Sequence, residues 1–492
     1  MGALGGHKGR PYKAHLSISP ARITAYRILR RVQAGRGFAA DLLQGPEASA
    51  LNEADRRLAT ELAMGILRWR GELDFQIQEI SGKPVERLDR EVVDILRLGV
   101  YQIQFLERVP KAAAVDQAVE MTKAARKRSA AGFVNAVLRK CSRTATSHLL
   151  VEEGLGVVAD GSTTPGRFLS RRGTTPPFSE LERVRRATPA WLLERWARHF
   201  SPPGVTGADV AARLAWASTR VPPTVLRVVK PSADIARLRD ELAEEGIRTR
   251  QGMFSARALL VESGNPHASR AVQECRVVMQ DEASQLIAGL LAPRAGQRVL
   301  DLCAAPGLKA GQIAQMMGSG TLVTCDRSAA RLRTMAHLLP RWLPKEVRQL
   351  AVQLDASQSL PFRCRFERIL LDAPCSGTGT LARNPEIKWR LRQPDLERLA
   401  EAQVKMLRSA LASLSLGGRL VYATCSLEPE ENEGVIERVL GESPGARLLS
   451  RAEIETTYPA LSPLFDDQGC LRTRPDLHPM DGFFAAVLER TT

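Results

Sequence analysis

From about residue 278 the chain repeats one pattern, a short apolar run followed by a helical stretch. The runs are QRVLDL, GTLVTCD, RQLAVQLD, FERILLD and GRLVYATC, with a late sixth, DGFFAAVLE. A strand that is apolar on both faces must be covered on both, so the pattern predicts a parallel sheet between layers of helices. Ligands of such sheets sit at the carboxyl ends of the strands. The unusual residues fall at those ends. Asp301, Asp326, Asp355 and Asp372 close four of the runs, and Cys375 and Cys425 follow two of them.

The rest of the chain reads differently. Residues 20–143 are helical in period, with Asn52 as a candidate N-cap ahead of a long helix. Residues 144–182 are rich in Gly, Thr, Ser and Pro and read as a flexible linker. Residues 183–277 mix helix and strand signals and read as a small α/β subdomain. With a basic tail at 1–19 and the repeating region at 278–492, the 492 residues make a multidomain chain.

Charge narrows the partners. The net charge is +16, and residues 1–150 hold 25 basic and 15 acidic side chains. Such a balance attracts polyanions, so nucleic acid is the first partner to consider, with KAARKRSAAGFVNAVLRK (123–140) as the densest basic stretch. The alternative for that stretch is a solvated helix face. The eight cysteines form no C-x-x-C pair, which gives a zinc site little support. Several lie in apolar runs, as reduced buried thiols do, which suits a cytoplasmic protein. The N-terminus is basic without an apolar core, and no run reaches the length of a membrane span.

VLDLCAAPGLKAGQIAQMM is a strand, a tight loop of small residues and a helix, an arrangement that brings backbone N–H groups to a ligand. It lacks the glycine spacing of dinucleotide binders and the G-K-[ST] of a P-loop. Asp326, nineteen residues after Gly307, can accept hydrogen bonds from two ribose hydroxyls, and Asp355 falls where an adenine edge would lie. Acids at successive strand ends suit an adenosine without a phosphate chain, which points to S-adenosyl-L-methionine. The competing explanation is that strand-end aspartates only cap helices.

LLDAPCSGTGT (370–380) and LVYATCSLEPEEN (420–432) each place a cysteine, followed by serine, after an apolar strand. Methylation of an exocyclic nitrogen has little need of a thiol. Pyrimidine C5 is a poorer acceptor and becomes nucleophilic only after a thiolate adds at C6. Two thiols divide that labour, one attacking and one aiding release, and Asp372 can recognise a cytosine amino group. The alternative is that both cysteines are small buried hydrophobes.

The motifs DLCAAPGLK, LLDAPCSGTG, RNPEIKW, YATCSLEPEENE and DGFFAA resemble those of the RNA cytosine-C5 methyltransferases of the Sun/NOL1/NOP2 family. LATELAMGILRW, LGVYQIQFL and FVNAVLRK are similar to the NusB-like RNA-binding domain found in the same family. The resemblance implies an all-α NusB-like N-terminal domain and a C-terminal α/β Rossmann-like class I methyltransferase domain, with the small α/β subdomain between them. It implies Cys425 as nucleophile, Cys375 as the aid to product release, and Asp372 and Lys309 beside the reacting base. The cofactor site it implies is Cys303, Ala304, Ala305, Pro306, Gly307, Leu308 and Lys309, completed by Asp326, Arg331, Asp355 and Asp372. The implied substrate is a cytosine of 16S rRNA, free or early in assembly, met by a monomer without a membrane. Where the family usually has two glycines, this chain has Gly307-Leu308. Leucine resists positive φ, yet the retained thiols and acids lead us to expect tolerance. An RNA-binding assembly factor without turnover, and an enzyme acting on transfer RNA or another ribosomal site, are the other readings.

Overall fold

The computed structural model describes residues 18–144, 178–200, 204–230 and 232–492. Most of the basic tail and of the expected linker lies outside the described residues. Two compact units emerge. Among the described residues, one holds 18–144, 178–190 and 384–386, and the other the remainder.

The first unit is built on the helices Pro20–Gln33, Glu53–Ser81, Arg90–Phe105, Lys111–Ala124 and Ala131–Thr144. Asn52 caps the longest, its side chain accepting the Asp55 N–H at 2.8 Å, and Gly82 ends it at φ +67°. Leu62, Ile66, Leu73 and Ile77 recur at helical spacing and are fully or almost fully buried. In the basic stretch, Arg126, Arg128, Arg139 and Lys140 are exposed, while Lys127 pairs with Asp89 at 3.1 Å. The helix Phe178–Arg186 occupies the end of the stretch expected as linker. Arg183 and Arg186 both reach the buried Glu72, at 3.2 and 2.6 Å, meeting the need of a buried carboxylate for counter-charge.

The second unit carries two sheets. In the smaller, β1 (Val225–Val228), β2 (Arg248–Gln251), β3 (Ala258–Ser263) and β4 (Val277–Met279) run antiparallel in the order β2-β3-β1-β4, so that sheet ends at Met279. The larger holds β5 (Arg298–Asp301), β6 (Gly320–Asp326), β7 (Val347–Gln353), β8 (Phe366–Asp372), β9 (Leu414–Thr424), β10 (Ala446–Leu448), β11 (Leu471–Arg472) and β12 (Phe484–Arg490). Its order is β10-β12-β9-β8-β5-β6-β7, with β11 beside β12.

Burial explains the continuous apolar runs. Val299, Leu322, Leu370 and Val421 pack into one core with the helices Glu282–Leu290 and Leu308–Met317. Their neighbours Leu300, Val323, Ile369, Leu371 and Leu420 pack into a second core with the helices Gln393–Ala412 and Glu433–Glu442. Alternate residues thus face opposite helical layers.

The sheet is not wholly parallel. β5 to β9 run parallel, but β12 runs antiparallel to β9. The cause is the short β11, which pairs antiparallel with β12 and turns the chain back on itself. This reversal brings residues 473–483 to the carboxyl ends of the parallel strands. No helix among the described residues is long and apolar enough to cross a membrane.

Candidate active site

The site is built where β5, β6, β8 and β9 end. Asp301, at the end of β5, is completely buried, and neither of its carboxylate oxygens has a hydrogen-bond partner of normal geometry. Burial, and then the nearby Asp372, push its pKa up to about 7, against the pull of Lys309. The folded state therefore keeps a proton that the unfolded chain loses between about pH 4 and pH 7. Stability falls as pH rises through that window, by at most about 4 kcal/mol. Asp301→Asn should flatten this dependence and raise the melting temperature at about pH 8 while leaving it little changed at about pH 4. Thermal melts at the two pH values check it.

After Asp301 comes the loop Cys303–Gly307. Its Ala304 N–H donates to Cys325 O at 2.8 Å, and the Ala305–Pro306 peptide is cis. Gly307 has φ +104° and precedes the helix Leu308–Met317. A Cβ there would lie 2.9 Å from the Met335 side chain. Only Gly307 needs the left-handed conformation. Leu308 is the first residue of a regular helix and packs half-buried against the core, so the expected strain from a leucine does not arise. Burial, and then Asp301, hold the Cys303 thiol well above its usual range.

Asp326 ends β6. One of its oxygens accepts the Ser328 N–H at 2.8 Å, and the other faces Arg331 at 3.4 Å. Arg331 also donates to Ala305 O, which straps the loop to Asp326. β7 stops at Gln353, so Asp355 lies two residues past the strand. Its bonds are local, to the Ser357 N–H and hydroxyl, and these hold its carboxyl below the usual range. These are local turn contacts and not helix caps: Ser328 caps the helix Ala329–Leu338, and no helix lies among the described residues between Asp355 and β8. The tie between their segments is the Leu354 N–H donating to Asp326 O at 3.3 Å.

The acids at or near the strand ends, the loop of small residues and the buried carboxylate of Asp301 fit a cofactor with hydroxyl and ammonium donors. A buried acceptor whose hydrogen bonding is not satisfied with normal geometry suits approach of a cationic ligand.

The chemical side is at β8 and β9. Lys309 Nζ donates to Asp372 Oδ2 at 2.7 Å and lies 5.3 Å from the centre of the Phe483 ring. Burial alone would lower the Lys309 pKa, but Asp372 overrides it and raises it. The pairing leaves Asp372 Oδ1 available as an acceptor. Cys375 Sγ and Cys425 Sγ are half-buried and 3.4 Å apart. The Cys425 contact, and then burial, push the Cys375 thiol well above its ordinary range. By contrast Cys141, Cys325 and Cys470 are buried core thiols.

The two cysteine loops are stitched together. The Gly379 N–H donates to Cys425 O at 2.9 Å, and the Gly482 N–H to Gly379 O at 2.8 Å. Ser376 and Ser426 meet at 3.0 Å between their hydroxyl oxygens, over the buried Glu431. Sequence reading did not assign Glu431, Gln403 or the Gly379–Gly482 contact. The available signal was the serine after each thiol.

The chain resembles known proteins over most of its length. Residues 288–489 match the family described as 16S rRNA methyltransferase RsmB/F, and residues 19–143 match the NusB family. The chain is 33% identical over 433 residues to ribosomal RNA small subunit methyltransferase B of Pseudomonas putida, covering 88% of this chain and 91% of that one. Its fold is similar to that of the crystal structure of PH0851, with TM-score 0.73, 24% identity, and coverage of 96% of this chain and all of the other. It is also similar to NSun6 from Pyrococcus horikoshii with SFG, with TM-score 0.53, 21% identity, and coverage of 62% and 98%.

Proposed function

We propose a reaction from one premise: the chain belongs to the family of ribosomal RNA small subunit methyltransferase B and is a methyltransferase. The reaction is S-adenosylmethionine-dependent methylation of 16S rRNA at cytosine C5, through a covalent bond between Cys425 and C6. The observation that carries it is the pair of half-buried thiols 3.4 Å apart beside the Lys309–Asp372 ion pair.

S-adenosylmethionine, when bound, supplies an electrophilic methyl group. Cys303 through Lys309, with Asp326, Arg331, Asp355 and Asp372, would hold it. The structural relative carrying SFG, an analogue of that cofactor, supports the choice. The Asp372 carboxylate, oriented by Lys309 at its Oδ2, accepts from the cytosine amino group through Oδ1 and so favours cytosine over uracil. Cys425 adds to C6, which makes C5 nucleophilic. Once C5 carries its methyl group, the C5 proton passes to solvent, the C5–C6 double bond re-forms and the C6–sulfur bond breaks, expelling Cys425 as a thiolate. Cys375 is within reach of the departing sulfur and assists that release. The exposed Arg126, Arg128, Arg139 and Lys140 supply a sequence-independent attraction for the RNA backbone.

Mass spectrometry of 16S rRNA from a deletion strain tests the reading. One 5-methylcytidine should disappear, return with the wild-type gene, and not return with Cys425→Ala. An unchanged modification pattern sinks it. Leu308 is the feature that favoured a factor without turnover, and its place in a regular helix removes that support. Calorimetric titration should accordingly show S-adenosylmethionine binding, with Leu308→Gly changing the affinity by no more than about threefold, or about 0.7 kcal/mol. No detectable binding to the wild type would defeat this expectation.

A further inference from the structure

Each thiol is followed by a serine, and Glu431 gives that repetition a reason. Its side chain is fully buried and reaches both loops. The carboxylate accepts the Ser376 N–H at 2.8 Å, the Ser376 hydroxyl, the Ser426 hydroxyl at 2.6 Å and the Gln403 side-chain amide at 3.0 Å. That same Gln403 amide donates to Pro374 O at 2.9 Å. The residues on both sides of Cys375, and the residue after Cys425, are therefore all tied to one carboxylate.

All four partners can donate. An ionised carboxylate only accepts. The two N–H groups on Oε1 can only donate, and the two hydroxyls on Oε2 are able to, so the cage accommodates the charged form. Yet among the described residues Glu431 has no cationic partner. Asp372 has Lys309, and the nearby buried Glu428 has Arg195. A buried carboxylate without counter-charge is expensive to keep, and here it sits behind one of the two thiols. The Lys309 ammonium is within electrostatic reach of Cys425. The other titratable groups acting on Cys375 are Asp372 and Cys425 itself, and Tyr422 packs close by, its hydroxyl donating to Glu431 O at 2.6 Å.

We propose that Glu431 is the positioning residue of the thiol pair: it locks the two loops together, and its fixed negative charge makes Cys375 the thiol that keeps its proton. Cys425 is then the thiol that releases its proton, to solvent, with Lys309 as counter-charge and the Cys375 S–H donating to its sulfur. This rests on the assignment of Cys425 as nucleophile and supplies the reason that assignment lacks in sequence. Burial raises the Glu431 pKa, and the hydrogen bonds from Ser376, Ser426 and Gln403 oppose the rise.

Alkylation by iodoacetamide, read at each cysteine by peptide mass spectrometry between about pH 6 and pH 9, tests the inference. In the wild type, Cys425 should label faster, and labelling of Cys375 should rise only at higher pH. Glu431→Gln keeps the shape of the cage and drops the charge, so the Cys425 to Cys375 labelling ratio should fall about tenfold, one unit of relative pKa. Glu431→Asp keeps the charge and should retain the ratio, while its shorter reach loosens the serines and lowers turnover. An unchanged ratio in Glu431→Gln overturns the role of Glu431 and leaves the nucleophile assignment standing. Faster labelling of Cys375 in the wild type overturns that assignment, and the inference with it. If Glu431→Gln does not fold, the wild-type pH curves still decide, because coincident curves for the two thiols refute the asymmetry.

Discussion

Cys375→Ala, incubated with S-adenosylmethionine and 16S rRNA, should run on a denaturing gel with a second, slower band that ribonuclease removes. Cys425→Ala should show no such band and should lose methyl transfer by about 1,000-fold or more, about 4 kcal/mol of barrier. Removing the Cys375 sulfur leaves Cys425, Lys309 and Asp372 in place, so addition to C6 proceeds while release stalls. Neither change should unfold the protein. Both cysteines are half-buried, and the loops remain tied through Ser376, Ser426 and Glu431. A trapped band from Cys425→Ala instead would reverse the two roles. No band from either variant would remove covalent chemistry from the reaction.

The second large effect comes from a residue without a side chain. Gly379→Ala should lower the stability of the methyltransferase unit by about 3 kcal/mol and its turnover by about 100-fold. A Cβ at Gly379 would lie 2.1 Å from Gly482 O, a contact between two backbones in which no flexible side chain can yield. The loop that carries Gly482 into β12 must then move, or the Cys375 loop must. Either movement strains the Gly379 N–H bond to Cys425 O and with it the spacing of the two sulfurs. Gly289→Ala is the control, because a Cβ there meets nothing within 4 Å. Calorimetry and single-turnover kinetics on both variants decide the matter. A Gly379→Ala protein that melts and turns over like Gly289→Ala would show that the close approach carries no weight.

These expectations draw unequally on sequence. The small residues of LLDAPCSGTGT announce a tight loop, but nothing in the motif says which backbone crowds it. Gly482 is more than a hundred residues away and arrives only because β11 turns the chain back into β12. The apolar period of DGFFAAVLE marks a strand and is silent on its direction, which is why a parallel sheet is the natural expectation and an antiparallel last strand the outcome. Leu308 runs the other way. Its motif suggested strain, and the backbone places the positive φ one residue earlier, at Gly307.

The sequence by itself marked β5 to β9 and β12, the acids and thiols at or just past strand ends, and the glycine-bearing loop after β5. It left β10 and β11 unmarked and held no sign that β7 is largely exposed. The marked features are local properties, written in alternation, in β-branched runs and in the small residues that follow them. The tertiary structure alone decided that β8 lies beside β9, which brings Cys375 within 3.4 Å of a thiol fifty residues on, and that Glu431, Gln403 and two serines close beneath them. The physical reason is that strand order and contacts between distant loops depend on how whole faces pack, and no local period encodes which faces meet.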